Sequence, residues 1–326
     1  MVTIDEIITA FGKYYLAGSQ NKSRLLGVPF VEGRTLKTPG MRHIKTKDTI
    51  YQMANPIYAK VLQQFQKAFT NKGGVSFHPN EIQLRQMKVD DLIYPEDIEE
   101  SWLGFLAGDS SRNLETWPIV RYLMEVYYAQ IIEEEKETDV VYKGEYAAPT
   151  AGTAGEGSKV FDGFHKQLIN GAADQQYPIN VFEEGVIGEM DVTTAFDQIE
   201  NFSKGIKSQF THRNVVIFVA PEFERAYLEG KREKGFYNVK TDGEFSTRID
   251  FTSHTVVGLE SMAGTKDIWA TLPENMLHIM KRGDEIQHFD IQKSDRAVKL
   301  LMDWWEAVGF GCNKLVWASA ETVATE

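Results

Sequence analysis

Apolar residues at Ile4, Ile7, Ile8, Phe11 and Tyr15 keep the three-and-four spacing of one helix face and predict a short amphipathic helix over 4–16. The pattern then dissolves. Between 17 and 49, Gly18, Gly27, Pro29, Gly33, Pro39 and Gly40 alternate with Arg34, Lys37, Arg42, His43, Lys45 and Lys47. A stretch longer than the roughly 15 residues that compact domains leave unstructured must be disordered or held by a partner. It is read as an extended arm. Helical spacing returns at Ile57, Val61, Leu62, Phe65 and Phe69, predicting a helix over 55–69 that stops at Asn71-Lys72-Gly73-Gly74. Val75, Phe77, Ile82, Leu84 and Met87 then stand among polar neighbours, with Pro79-Asn80 as a turn, and predict an extended hairpin over 75–89. Two strands alone are not stable in water, so the hairpin must lie on something.

From Asp90 to Leu106, Glu96, Asp97, Glu99 and Glu100 precede Trp102, Leu103 and Phe105, as in a helix with carboxylates at its N-terminus. The longest helix follows, capped by Thr116, with Pro118 in its first turn. One of its faces carries Ile119, Tyr122, Leu123, Val126 and Tyr127, and a second carries Val120, Met124, Tyr128 and Ile131, so it should pack on more than one side. The run Glu133 to Glu137 is expected to end it in solvent, with Val140-Val141-Tyr142 following as a strand. Ala147 to Ser158 is made of small and flexible residues and forms the clearest boundary in the chain. Beyond it, a helix is predicted over 192–210 and a strand over Val215 to Val219, whose unbroken apolar run belongs inside a sheet covered on both faces. Pro221 opens a charged helix, 268–272 reads as a strand, and 273–280 as a short helix. Over 296–308 periodicity leaves helix and strand both open, and no internal repeat occurs.

Composition narrows the class. At 326 residues, with 42% hydrophobic and 25% charged side chains, the chain suits a globular protein of about two domains at roughly 150 residues each. No apolar run reaches the roughly 18 residues of a membrane span, and Met1 to Glu6 lacks the basic-then-apolar order of an export signal. The single cysteine, Cys312, cannot form an intramolecular disulfide, which fits synthesis in a cytoplasm. A net charge of −12 argues against a protein built to grip nucleic acid but not against a container for it, since an acidic wall does not stick to the polyanion inside.

The search for chemistry returns mainly absences. The sequence holds no phosphate-binding loop, dinucleotide fingerprint, paired-cysteine zinc site or His-Glu-x-x-His pair. His43, His78, His165, His212, His254, His278 and His288 are scattered, with no two at ligand spacing on one predicted helix. Cys312 beside an apolar segment reads as a small hydrophobe. The acidic clusters at 96–100 and 133–137 read as solvated helix ends. No catalytic, cofactor-binding or metal-binding residue is assigned, no cofactor is expected, and the chain is not expected to be an enzyme. Aromatic residues reach 12%, and Trp102, Trp117, Trp304, Trp305 and Trp317 sit near element ends, where they can serve a core or a subunit contact.

Taken in order, these pieces resemble the major capsid proteins of tailed bacteriophages of the Hong Kong 97 type. The arm is followed by Val75-Ser-Phe-His-Pro and Ile82-Gln-Leu-Arg-Gln-Met-Lys-Val-Asp, which resemble the loop that overlaps a neighbouring subunit. Trp117-Pro-Ile-Val-Arg-Tyr-Leu through Glu137 resembles the spine helix, and Val140-Val-Tyr-Lys-Gly with Phe161-Asp-Gly-Phe leads into what resembles the axial domain. Asp267-Ile-Trp-Ala-Thr-Leu-Pro-Glu-Asn-Met-Leu resembles a late strand, turn and helix of the family, and Trp304 to Trp317 its closing segment. The resemblance implies an α+β Hong Kong 97-like capsid fold. Its parts are an N-terminal helix and arm (1–54), a helix and extended hairpin loop (55–95), a peripheral domain with the spine helix (96–149) and an axial domain (150–326). Late strands at about 284–310 return to the peripheral domain, which favours the strand reading of 296–308. The lysine–asparagine crosslink of some members has no assignable partners here.

The function so implied is self-assembly into pentamers and hexamers of an icosahedral head shell that encloses double-stranded DNA without reading its sequence. Such closure needs arms and loops that reach beyond the compact body. The implied partners are further copies of the chain, a portal, decoration proteins and a separate scaffolding protein, since little chain precedes the arm. No membrane is involved, and the location is the virion, assembled in the host cytoplasm. Three readings compete: an encapsulin-like compartment of the same fold, a cytosolic α+β enzyme whose site converges from distant residues, and another phage structural piece such as a tail or head-decoration protein, which the long helix followed by a mixed α/β half suits less well.

Overall fold

The computed structural model describes residues 9, 33–58, 62–70, 72, 75–94, 101–103, 106–107, 119–234, 246–281, 288–295 and 297–324. Outside them lie nearly all of the helix expected over 4–16, residues 17–32 of the arm, the acidic run 96–100 and the cap at Thr116. The later part of the arm is not loose. Residues 33–41 pack as turns with Thr35 and Leu36 fully buried, and β1 (Arg42–Thr46) joins a sheet.

The helix expected over 55–69 is not found among the described residues of that range. β2 (Ile50–Tyr58) is a strand paired antiparallel with β3 (Val75–Gln83), and 62–70 has no regular structure. Pro56 explains the first part, because the residue before a proline is pushed out of the α region. Pro79-Asn80 is not a turn either. Pro79 lies within β3 opposite Ala54, which a two-stranded ribbon tolerates because both strands are edges. The chain instead changes partners at Leu84: β4 (Arg85–Ile93) leaves the ribbon and pairs with β11 (Ala297–Phe310).

β11 organises the first sheet. It pairs antiparallel with β4, with β10 (His288–Ser294) and, through its last five residues, with β9 (Met276–Lys281), which β1 joins in parallel. The helix expected over 273–280 is therefore only a turn at Pro273–Asn275 followed by β9. Met276 to Met280 are all buried, as befits a strand between two others, and continuous burial overrides helical spacing. The second sheet runs β5 (Asn180–Val181), β12 (Val316–Ala318), β8 (Trp269–Thr271), β6 (Val216–Val219) and β7 (Thr255–Gly258). β6 is an interior strand with every residue buried, as its sequence predicts.

Helical structure runs unbroken over 119–140 as α1, in alternating α and wider π turns. Met124, Tyr128, Ile132, Lys136 and Val140 are all buried, a spacing of four. In a plain helix of about 3.6 residues per turn such a series would drift off its face by about 40° per step. The π stretches at Leu123–Tyr128 and Lys136–Val140 take up that drift. The acidic run thus does not end the helix in solvent: Lys136 and Glu137 are buried, and Val141-Tyr142 is a turn rather than a strand.

Further helices among the described residues are α2 (Phe164–Ala173), α3 (Ala195–Gly205), α4 (Pro221–Glu233) and the short α5 (Ala320–Val323). Pro221 stands in the first turn of α4, where its missing N–H costs nothing. Phe164 of α2 meets Trp269 of β8 at 5.8 Å and Phe310 of β11 at 5.4 Å, and Trp269 meets Phe218 of β6 at 4.4 Å, so aromatic rings weld the two sheets into one core. Trp102, Trp304 and Trp317 are likewise core residues. No helix among the described residues is long and apolar enough to cross a membrane.

Candidate functional site

Three features stand apart from ordinary packing: a ribbon fixed at its base, an arm fixed by buried charge, and large apolar side chains left in solvent. The ribbon β2–β3 is held along one face. Asn55 Nδ2 donates to the Gly311 carbonyl at 3.0 Å, and Asn80 Nδ2 donates to the Phe310 carbonyl at 2.6 Å. His78 lies 3.0 Å from Asp174 and 3.1 Å from Gln176, with its ring stacked on Tyr177. Ile82 and Leu84 enter a small separate core with Leu277, Ile279 and Ala307. Gly309 permits this approach, since a Cβ there would sit 2.6 Å from the Ile82 Cδ1. Among the described residues beyond Tyr58, Leu62, Phe65 and Phe69 are 88%, 94% and 96% exposed. Phe77, on the outer face of β3, is exposed as well.

The arm is anchored twice. Glu137, buried near the end of α1, accepts the backbone N–H groups of Thr35 and Ser261 and the Thr35 hydroxyl, and Arg34 pairs with Glu260 at the surface. Gly33 is required there: a Cβ on it would fall 2.2 Å from a Glu137 carboxylate oxygen. The second anchor begins at His43 on β1, whose Nδ1 lies 3.0 Å from the His278 Nδ1 on β9. His278 Nε2 is 2.6 Å from one oxygen of Glu306, and Lys136 and the Trp304 indole donate to the other at 2.6 and 3.0 Å. Burial alone would raise the Glu306 carboxyl, but the charges of Lys136 and His278 outweigh it and hold it down to about 2. The ionised carboxylate thereby ties helix, sheet and arm together.

The sequence sees only separate members of this cluster. It treats Glu137 as solvated and His43 and His278 as unrelated, because no local spacing brings 43, 136, 278 and 306 together. The remaining candidates are packed rather than reactive. Ser203 Oγ lies 2.8 Å from His254 Nδ1, but His254 Nε2 faces the Phe210 carbonyl at 3.2 Å, and both side chains are buried. Burial also lowers the His254 ring's proton affinity, so the neutral imidazole staples α3 to the strand edge. Cys312 is half-buried beside the Tyr177 hydroxyl at 3.2 Å. Among the described residues no three metal-ligating side chains converge.

One more apolar side chain stands out. Phe251 is 96% exposed and has a φ of +63°, a left-handed conformation that non-glycine residues adopt only at a cost. Its loop is stiff, because Lys231 donates to the Arg248 carbonyl at 2.6 Å and Arg248 donates to the Thr252 carbonyl at 2.7 Å.

No family model and no curated protein sequence matches the chain. Solved structures do. The chain is similar to one in the satellite phage P4 procapsid including size determination (Sid) protein, with a TM-score of 0.56 and 10% identity over 97% of each chain. It is similar to the capsid of a native GTA particle computed with C5 symmetry, with a TM-score of 0.56 and 11% identity over 87% of this chain and 88% of that one. The capsid of the empty GTA particle matches over the same shares with a TM-score of 0.50. This chain has the fold of phage capsid proteins.

Proposed function

We propose that the chain is the major capsid protein of a tailed bacteriophage, assembling with copies of itself into pentamers and hexamers of an icosahedral head that encloses double-stranded DNA. The observation that carries this reading is the end-to-end match to a procapsid chain, which leaves almost no part of either chain unmatched. The ribbon β2–β3 is the segment that overlaps a neighbour, and Leu62, Phe65, Phe69 and Phe77 supply its contact. The sheet built on β11, together with α1, forms the peripheral domain, and the sheet built on β6 forms the axial domain, with Phe251 on a loop at its rim. A net charge of −12 keeps the wall from adhering to DNA during filling. A separate scaffolding protein, a portal and decoration proteins complete the particle, which is formed in the host cytoplasm.

The test is expression alone and with the neighbouring scaffold candidate, followed by sizing and negative-stain microscopy. Rings of five or six subunits, or closed shells, are expected. A compact monomer under all conditions overturns the proposal. Shells from infected cells that contain an enzyme cargo in place of nuclease-protected DNA would convert the reading to a cargo compartment.

A further inference from the structure

The side-chain contact that closes the arm strand onto the sheet joins two identical atoms. His43 Nδ1 on β1 and His278 Nδ1 on β9 stand 3.0 Å apart, with their rings nearly perpendicular at 87°. A nitrogen-to-nitrogen hydrogen bond of that length holds one proton; with a hydrogen on each atom, the two hydrogens would be forced to about 1 Å from each other. The second nitrogen of His278 is already committed. Its Nε2 faces the ionised Glu306 carboxylate at 2.6 Å, an acceptor only, and so must donate to it. His278 therefore has Nδ1 alone to offer to the arm. When His278 is neutral it accepts from the Nδ1–H of His43, and when it is charged it donates to a neutral His43.

We infer that His43 and His278 form a proton-operated latch: the pair holds β1 on the sheet while it carries one positive charge or none, and a second proton drives the rings apart and frees the arm strand. This goes beyond the assembly reading and does not depend on it. Glu306 on β11 is the carboxylate of the cluster, and Lys136 on α1 already matches it at 2.6 Å, with the Trp304 indole as a neutral donor beside them. Arg42 and Lys45 flank His43 along β1, and Lys281 on β9 lies opposite Thr46. A second imidazolium would join this cationic corner. β1 is the edge strand of its sheet, with β9 on one side, so it can peel away without opening the core. The turns at 33–41 are fastened separately to Glu137, which makes β1 a flap on a fixed base. An unconstrained imidazole takes its proton near pH 6.5, and the open strand can bind one proton more than the closed one. The latch thus holds above that pH and opens as pH falls below it.

Hydrogen exchange on the full chain between pH 8 and pH 5, corrected for the intrinsic chemical rate, reads the latch. Amides of β1 should open about tenfold more often at pH 5 than at pH 8, while the Thr35 amide, bound to Glu137, and the amides of β6 stay protected. Asparagine sets an amide where Nδ1 stands and can donate to or accept from His278 in either charge state. His43→Asn should therefore keep β1 closed across the whole range. His43→Ala, which removes the contact, should leave β1 about as open at pH 8 as wild type is at pH 5. Protection of β1 that does not change with pH, an acid step that survives in His43→Asn, or a His43→Ala strand as protected as wild type at pH 8 overturns the latch. Loss of protection at Thr35 and β6 together with β1 would make the event global unfolding and overturns it equally. No shell is needed for the measurement, so its failure is separate from failure of the capsid reading.

Discussion

Replacing Glu306 by glutamine should cost the unassembled subunit about 3 kcal/mol or more near neutral pH and should make its stability less sensitive to acid. The magnitude follows by two routes. The carboxyl sits at about 2 in the folded chain against 4.5 when unfolded, which corresponds to about 3 kcal/mol of stabilisation at neutrality. Independently, removing one member of a buried ion pair typically costs about 3–5 kcal/mol, because the other charge is left without a partner. Here Lys136 would remain buried against a neutral amide. The sign is fixed by the direction of the shift. A depressed carboxyl gives its full contribution above the unfolded value of 4.5 and loses it as pH falls toward 2. Between pH 7 and pH 3 the loss is about 2 kcal/mol. Urea denaturation followed by tryptophan fluorescence, on wild type and Glu306→Gln at pH 7, 4 and 3, measures it as a gap that narrows by about that amount. A gap below about 1 kcal/mol at pH 7, or one that stays constant down to pH 3, would refute the assignment of Glu306 as an ionised keystone.

Thr35→Val removes one hydroxyl from the Glu137 anchor and should cost about 1–2 kcal/mol, seen as faster proteolytic cleavage near 33–41 in the unassembled subunit. Gly309→Ala places a methyl against Ile82 and should destabilise by about 1–3 kcal/mol in thermal melts, with partial recovery on adding Ile82→Val. Phe251→Gly relieves the positive φ and should stabilise the isolated subunit by about 1 kcal/mol while slowing assembly measured by light scattering, whereas a loop that only carries strain would leave assembly unchanged.

The elements that could be read from sequence were those whose own residues decide them. Val216 to Val219 is apolar throughout and is an interior strand; Pro221 both stops one element and starts the next. Misreadings arose where partners distant in sequence decide. Met276 to Lys281 has helical spacing but is drawn into a sheet by β1 and β11, and Ile57 falls in a strand because 75–83 pairs with it. The apolar spacing of Leu62, Phe65 and Phe69 was visible, but periodicity reports that a face wants covering and not what covers it, and the structure leaves all three exposed. The buried charges were missed although a clue was present: Met124, Tyr128, Ile132, Lys136 and Val140 recur every fourth residue, which places Lys136 in an apolar series.

The parallel pairing of β1 with β9 sets a timetable for the newborn chain. His43 leaves the ribosome long before His278, which lies 235 residues later. At about 5–20 residues per second the arm strand waits roughly 10 to 50 seconds for its neighbour to be made. Throughout that interval β1 lacks its partner β9, so this corner cannot close before residues 277–281 are made. Contacts between residues so far apart in sequence slow folding, and the arm is therefore held first at Glu137 and only much later at β9.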